Sequence, residues 1–137
     1  LLKCAVALQF TLPGVPSVYY GDEAGMEGYK DPFNRGCYPW GNENKDLLEF
    51  YKTMGRIRRE NHVFQKGFFS PVSSMLGCIT YRRHDENGDI MVIVNRNEHP
   101  ISYRLPDYYA NPKVLYGNNP ENQEVQIDGC SFVILSL

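Results

Sequence analysis

The chain has 137 residues, 42% of them hydrophobic and 22% charged, the balance of an ordinary globular protein. A formal net charge of −2 gives no electrostatic case for nucleic acid or an anionic membrane surface as a partner. No apolar run approaches the roughly 20 residues that cross a bilayer, and the four cysteines (Cys4, Cys37, Cys78, Cys130) form no CxxC or Cys/His cluster, so neither a membrane nor a metal is expected.

In chain order, Leu1–Leu12 is apolar nearly all round, and its length and Ala/Leu content favour a helix that Pro13-Gly14 stops. A helix apolar on every face is normally covered on more than one side. The start lacks a Met, a basic n-region and a small-residue cleavage site, so it reads as the interior of a larger protein. Val15–Tyr20, short, β-branched and aromatic between two glycines, reads as a buried strand of the parallel type. One αβ unit cannot make a sheet, and no other αβ repeat follows to supply its neighbours.

Gly21–Asn44 is a long irregular segment after the strand's carboxyl end, the place where α/β barrels put binding residues. Asp31-Pro32 inside it resembles an N-cap followed by proline at the first helical position, which predicts a single helical turn. Lys45–Glu60 is the clearest helix. Leu47, Leu48, Tyr51, Met54 and Ile57 form one stripe, with Asn44 as cap and Arg56, Arg58 and Arg59 at the negative end.

From Val63 the texture changes to short β-type runs: 67–69, 78–83, 90–95, 101–105, 113–116, 124–127 and 131–137. Asn87-Gly88 and Asp128-Gly129 are hairpin signals, the first fitting a type I′ turn. Seven such strands predict an antiparallel sandwich, with a boundary near Asn61–Gln65. The runs holding Cys78 and Cys130 leave room for one disulfide; the alternative is four reduced thiols, which suits the cytoplasm.

No pair of acids looks catalytic. Asp22 and Glu23 are adjacent, so continued strand geometry sends them to opposite sides, and Glu27 and Asp31 lie in a loop where their spacing fixes nothing. Asp31 and Arg35, in DPFNR, are the better functional pair. A carboxylate beside a guanidinium offers acceptors and forked donors that match vicinal sugar hydroxyls; a cap plus an ion pair is the plainer reading. Tyr38 and Trp40 either stack on a sugar or pack under the loop, and the three histidines have no catalytic partner by spacing.

PGVPSVYYGDEAGMEG, DPFNR, YPW and NKDLLEFYKTMGRIRREN together resemble the closing part of the α-amylase family of glycoside hydrolases. DPxxR and YPW look most like its neopullulanase and cyclomaltodextrinase branch. The resemblance spans the whole chain and is specific over Leu12–Glu60. It implies an α/β fragment, the last units of a TIM-type barrel, followed by an all-β antiparallel sandwich. Residues 1–63 would end the (β/α)8 barrel, with Pro16–Tyr20 its eighth strand, and residues 64–137 would form the C-terminal sandwich.

The resemblance also implies a retaining enzyme acting on α-glucan oligosaccharides or cyclodextrins without a cofactor. Its aspartate nucleophile, glutamate acid/base and second aspartate would lie on earlier strands, leaving no catalytic residue here and an inactive fragment. Asp31 and Arg35 look like the family positions that bind a glucose unit on the non-reducing side of the cleavage point. The alternative function is a glucan-binding sandwich that grips through Tyr103, Tyr108, Tyr109 and Tyr116. Lost neighbours around Leu1–Leu12 and Val15–Tyr20 predict self-association, rearrangement or local disorder.

Overall fold

The computed structural model describes residues 1–137. Helix α1 (Leu2–Thr11) is followed by a 3-10 turn at Asp22–Ala24, helix α2 (Lys45–Glu60) and the one-turn helix α3 (Val63–Lys66). Seven strands complete the chain: β1 (Phe68–Met75), β2 (Cys78–Asp85), β3 (Gly88–Asn95), β4 (Ile101–Arg104), β5 (Lys113–Tyr116), β6 (Glu124–Ile127) and β7 (Ser131–Ser136). All pairing is antiparallel, in one sheet of order β1-β2-β3-β7-β5 and a second of β4 with β6.

The large sheet is the middle of three layers. On one face Tyr81, Ile90, Val92, Val94, Phe132 and Ile134 share a core with Cys4, Val6, Ala7 and Phe10 of α1 and Leu47, Phe50, Met54 and Ile57 of α2. On the other face Met91, Ile93, Val133 and Leu135 pack with Val125, Ile127, Leu105 and Tyr109 beside the two-stranded sheet. Every residue of β3 from Ile90 to Asn95 is therefore buried, because successive side chains enter opposite cores. The run IMVIV has no polar alternation for this reason, and it belongs to a central antiparallel strand covered on both faces.

Helix α2 forms as its apolar stripe requires, and Asn44 Oδ1 accepts from the Leu47 amide at 3.0 Å to cap it. Helix α1 is covered on one side, with Leu1 and Leu2 exposed. Its last carbonyls are held by two arginines. Arg58 Nη1 donates to Phe10 O at 2.6 Å, and Arg83 Nη1 donates to Thr11 O at 2.8 Å.

The structure departs from several of these expectations. Val15–Tyr20 is not a strand: it runs as irregular chain and Val15 is 92% exposed, because a parallel strand needs ladder neighbours and none lies beside it. Residues 1–63 contribute helices packed on the sheet and no strand. The first β run is longer than its apolar residues, extending through Pro71 with a bulge before Ser73. A sheet edge tolerates the missing amide.

Asn87-Gly88 does mark a hairpin, but Glu86-Asn87 form its loop and neither residue has positive φ, so it is not type I′. Asp128-Gly129 links the two sheets rather than closing a hairpin, since β6 pairs with β4 and β7 with β3. The turn that meets the type I′ requirement is Asn122-Gln123, at φ 50° and 65°, bridging Glu121 and Glu124. It carries no glycine, which hid it. The four cysteines are free thiols, so the Cys78–Cys130 bridge does not form.

Candidate functional site

The segment from Gly21 to Asn44 is closed at its base and open at its tip. Gly21 at φ 93° starts the 3-10 turn, and its amide donates to Glu23 Oε2 at 3.0 Å. Ala24 is buried, and its carbonyl accepts from the Asn44 amide at 2.9 Å, clamping the loop onto the start of α2. Gly25, at φ 74°, sits where a Cβ would meet Asn44 at 3.1 Å. The polar ends therefore anchor the loop, and residues between Glu27 and Glu43 project from the anchor.

Asp31 and Arg35 do meet. Arg35 Nε donates to Asp31 Oδ1 at 2.7 Å, and the two side chains are 67% and 60% exposed for Arg35 and Asp31. That one bond leaves Asp31 Oδ2 and both terminal nitrogens of Arg35 without a partner in the chain. The expected helical turn is absent. A turn closed by Phe33 N donating to Lys30 O at 2.9 Å surrounds a cis Asp31–Pro32 peptide, so Asp31 does not cap a helix. The pair is thus not explained by capping.

Tyr38 and Trp40 stand next to this pair in the sequence, their rings 4.6 Å apart and inclined at 49°. Trp40 is 80% exposed, so it is not packed under the loop. Tyr20 ties the strand-like approach to the loop by donating from its hydroxyl to Gly36 O at 3.0 Å. Desolvation, then the charges of Glu23 and Glu43, raise the Tyr38 hydroxyl above its ordinary range, which keeps it a neutral donor. Asp22 and Glu23 lie in the 3-10 turn rather than on a strand, and Glu23 is spent on the Gly21 amide.

Two of the three histidines are tied to neighbouring side chains. His62 Nε2 pairs with Asp85 at 2.6 Å, and His84 Nε2 contacts Ser70 Oγ at 2.8 Å. Two of the four sandwich tyrosines are unavailable as sugar platforms. Tyr109 is fully buried, and Tyr116 stacks on Phe132 with centroids 4.5 Å apart. Tyr108 remains exposed, with the Arg82 guanidinium 5.2 Å from its ring centroid.

No protein-family model matches the chain. It is 36% identical over 135 residues to an amylopullulanase of Thermoanaerobacter thermohydrosulfuricus, covering 96% of this chain and 8% of that protein. It is 38% identical over 98 residues to a cyclomaltodextrinase of Thermoanaerobacter pseudethanolicus, covering 70% of this chain and 17% of that one. Among solved structures, the maltogenic amylase from S. marinus superposes with a TM-score of 0.84 at 32% identity, over 98% of this chain and 19% of that one. The chain thus spans less than a fifth of the length of each of these three proteins.

The antiparallel sheets match the C-terminal β-sandwich domain of α-amylase-type enzymes. The chain belongs to the α-amylase family of glycoside hydrolases.

Proposed function

We propose that this chain is the C-terminal part of a retaining α-glucan hydrolase of the neopullulanase and cyclomaltodextrinase type, acting on starch-like oligosaccharides or cyclodextrins. Residues 1–63 end its (β/α)8 barrel and residues 64–137 form its sandwich domain. The supports are the names of the relatives and the packing of α1 and α2 together on one face of the sheet. In the intact enzyme, parallel neighbours would turn Val15–Tyr20 from irregular chain into the eighth strand. No helix is long and apolar enough to cross a membrane, and the free thiols support a cytoplasmic setting.

The observation that carries the reading is the exposed Asp31–Arg35 pair with its unused acceptor and donors. A carboxylate oxygen and a guanidinium fork side by side bind vicinal hydroxyls of one glucose unit, while Tyr38 and Trp40 offer ring faces to a neighbouring unit. Nothing in the arrangement supplies a nucleophile facing an acid, so the pair positions substrate and the chemistry belongs to residues outside this chain.

Two results test this. The purified 137-residue chain releases no reducing sugar from pullulan or cyclodextrin; sustained turnover would overturn the reading. In the full-length enzyme, Asp31→Ala and Arg35→Ala each raise KM by about tenfold, the loss of one or two hydrogen bonds to charged groups. Unchanged KM in both variants removes the pair from the site.

The isolated chain should also self-associate. Leu1, Leu2, Val15 and Tyr19 are each half or more exposed, the apolar surface that missing barrel neighbours would leave bare. Sedimentation velocity across a concentration series should show dimers or larger species. A single monomeric boundary at every concentration counts against it.

A further inference from the structure

The sandwich carries a polar surface pocket of about 250 Å³, lined by Asn111, Pro112, Asn119, Pro120, Asn122 and Gln123, of which Asn111, Asn119 and Asn122 are exposed. It lies between the approach to β5 and the connection from β5 to β6, away from the Asp31 loop in the chain. Two independent features mark it.

The first is its chemistry. Four carboxamides and two pyrrolidine rings make the whole lining, with no charged side chain and no aliphatic one. The charged neighbours in sequence, Lys113, Glu121 and Glu124, stay out of it, and Glu124 accepts instead from Ser102 Oγ at 3.0 Å. Asn118, the one amide of this connection that does bond within the chain, donates to Gln126 O and is not in the lining. Each lining carboxamide keeps two donors and an acceptor to offer.

The second is the backbone. Only four non-glycine residues of the chain have positive φ, and three of them, Asn111 (53°), Asn122 (50°) and Gln123 (65°), line this pocket. Asparagine tolerates the left-handed region, but glutamine adopts it only at a cost, and glycine would serve the two-residue turn better. The turn is firmly held: Glu121 and Glu124 exchange backbone bonds at 2.7 and 2.9 Å, and Leu105 N donates to Gln123 O at 2.8 Å. A left-handed glutamine in a turn held this firmly is a backbone outlier of the sort that clusters at binding sites.

We propose that this pocket binds one sugar unit of a neutral oligosaccharide, giving the sandwich a glycan site built on amides rather than on tyrosines. A lining without charge has no complement for phosphate or carboxylate, and without carboxylates it is a poor cation site. Paired donors and acceptors match hydroxyls, each of which does both, and the proline rings add apolar C–H surface of the kind a pyranose also carries. The volume, below the usual range for small-molecule sites, suits one unit of a longer chain. The choice of α-glucan as that chain rests on the reading under Proposed function; the fit to a neutral polyol does not.

The test is a titration of the 137-residue chain with maltoheptaose and, separately, cellohexaose, followed by amide NMR shifts. Saturable shifts centred on Asn111–Gln123 with maltoheptaose are expected. Gln123→Gly, which relieves the left-handed backbone, should lower affinity about tenfold while leaving the thermal midpoint equal or higher. Asn111→Gly should behave alike.

Shifts at these residues with cellohexaose alone keep the site and count against the α-glucan reading. Absence of shifts there with both sugars, shifts confined to another surface, or unchanged affinity in both variants overturns the proposal.

Discussion

Replacing Arg83 with leucine should lower the free energy of unfolding by about 3 kcal/mol, because it strands the buried Thr11 carbonyl and the half-buried Gly67 carbonyl. Arg83 is only 2% exposed and faces no carboxylate. Its guanidinium is satisfied by backbone, donating to Thr11 O at 2.8 Å, Gly67 O at 3.0 Å and, more weakly, Phe68 O at 3.4 Å. Thr11 ends α1, so the positive charge also sits at that helix's negative pole. Burial, and secondarily the charge of Arg58, hold the guanidinium below its ordinary range, yet it remains far from titrating in any usable pH range.

Leucine fills part of the volume but donates nothing, so the carbonyls of Thr11 and Gly67 lose their partner. At about 1–3 kcal/mol for each buried group, two orphaned acceptors give the stated total. Tyr81 stands on the same face and shares Thr11, its hydroxyl 2.5 Å from Thr11 Oγ1. Burial pushes that hydroxyl up to about 12, so it stays a neutral phenol, and it already bonds the Thr11 side chain. Urea unfolding followed by circular dichroism gives the total, and hydrogen exchange should show α1 opening ahead of the sheet. A loss below about 1 kcal/mol would mean that water replaces the guanidinium at no cost, and the anchoring role would fall.

Neither arginine anchor was legible in the sequence, and the reason is physical. In β2 the run Tyr81-Arg82-Arg83-His84 shows two cations side by side, and alternation sends them to opposite faces, but only the three-layer packing decides that both faces are covered. Arg58 reads as a favourable charge at the end of α2, whereas it also reaches Phe10 and Gly14 carbonyls. The helices and most strand spans were legible because they rest on local periodicity. Val15–Tyr20 was misjudged because a strand is a property of a ladder, and composition cannot supply the partner.

The candidate site shows the same division. The Asp31–Arg35 pair was readable from spacing and is present at 2.7 Å, though through a turn of different geometry from the expected helical one. The amide pocket was not readable, because its residues come from two separated stretches and its marker is backbone conformation. Asn111 and the Asn122-Gln123 turn lie about ten residues apart, in a chain region that looks like ordinary loop.

A second large effect is expected at Asp89, and it is a pH effect. Asp89 Oδ1 accepts from Arg82 Nε at 2.9 Å and from Tyr109 Oη at 2.8 Å, while Oδ2 accepts from Arg82 Nη2. Burial pushes the carboxyl upward; the bonds from Arg82 and Tyr109 and the Arg82 charge outweigh it, so the group ends below its ordinary range. The partners respond oppositely. Arg82 is held more firmly protonated, chiefly by its bond to Asp89, and burial followed by the Asp89 carboxylate raises Tyr109 far above a normal phenol.

A carboxyl whose folded value lies below its unfolded value of about 3.9 contributes stability that is fully present above that value. The contribution fades as pH falls through the folded value. At pH 7, Asp89→Asn should therefore cost about 3 kcal/mol, since an amide nitrogen faces the Arg82 fork and the fully buried Tyr109 loses a charged acceptor. As pH falls through the folded value the wild-type carboxyl becomes neutral and the difference should shrink to about 1 kcal/mol or less.

Asp85 is lowered too, first by the Asn87 amide and then by His62, and Glu43 by the backbone amides of Glu43 and Gly41, so the wild-type curve alone mixes three lowered carboxyls. The difference between the wild-type and Asp89→Asn curves isolates the one of interest, because Asp85 and Glu43 titrate in both. Parallel stability curves between pH 7 and pH 2, with a constant gap, would show that the substitution acts through packing and that the Arg82–Asp89–Tyr109 cluster contributes no charge-dependent stability. A gap that closes on the acid side identifies it as the bond that holds the loop of Tyr108-Tyr109 to the sheet.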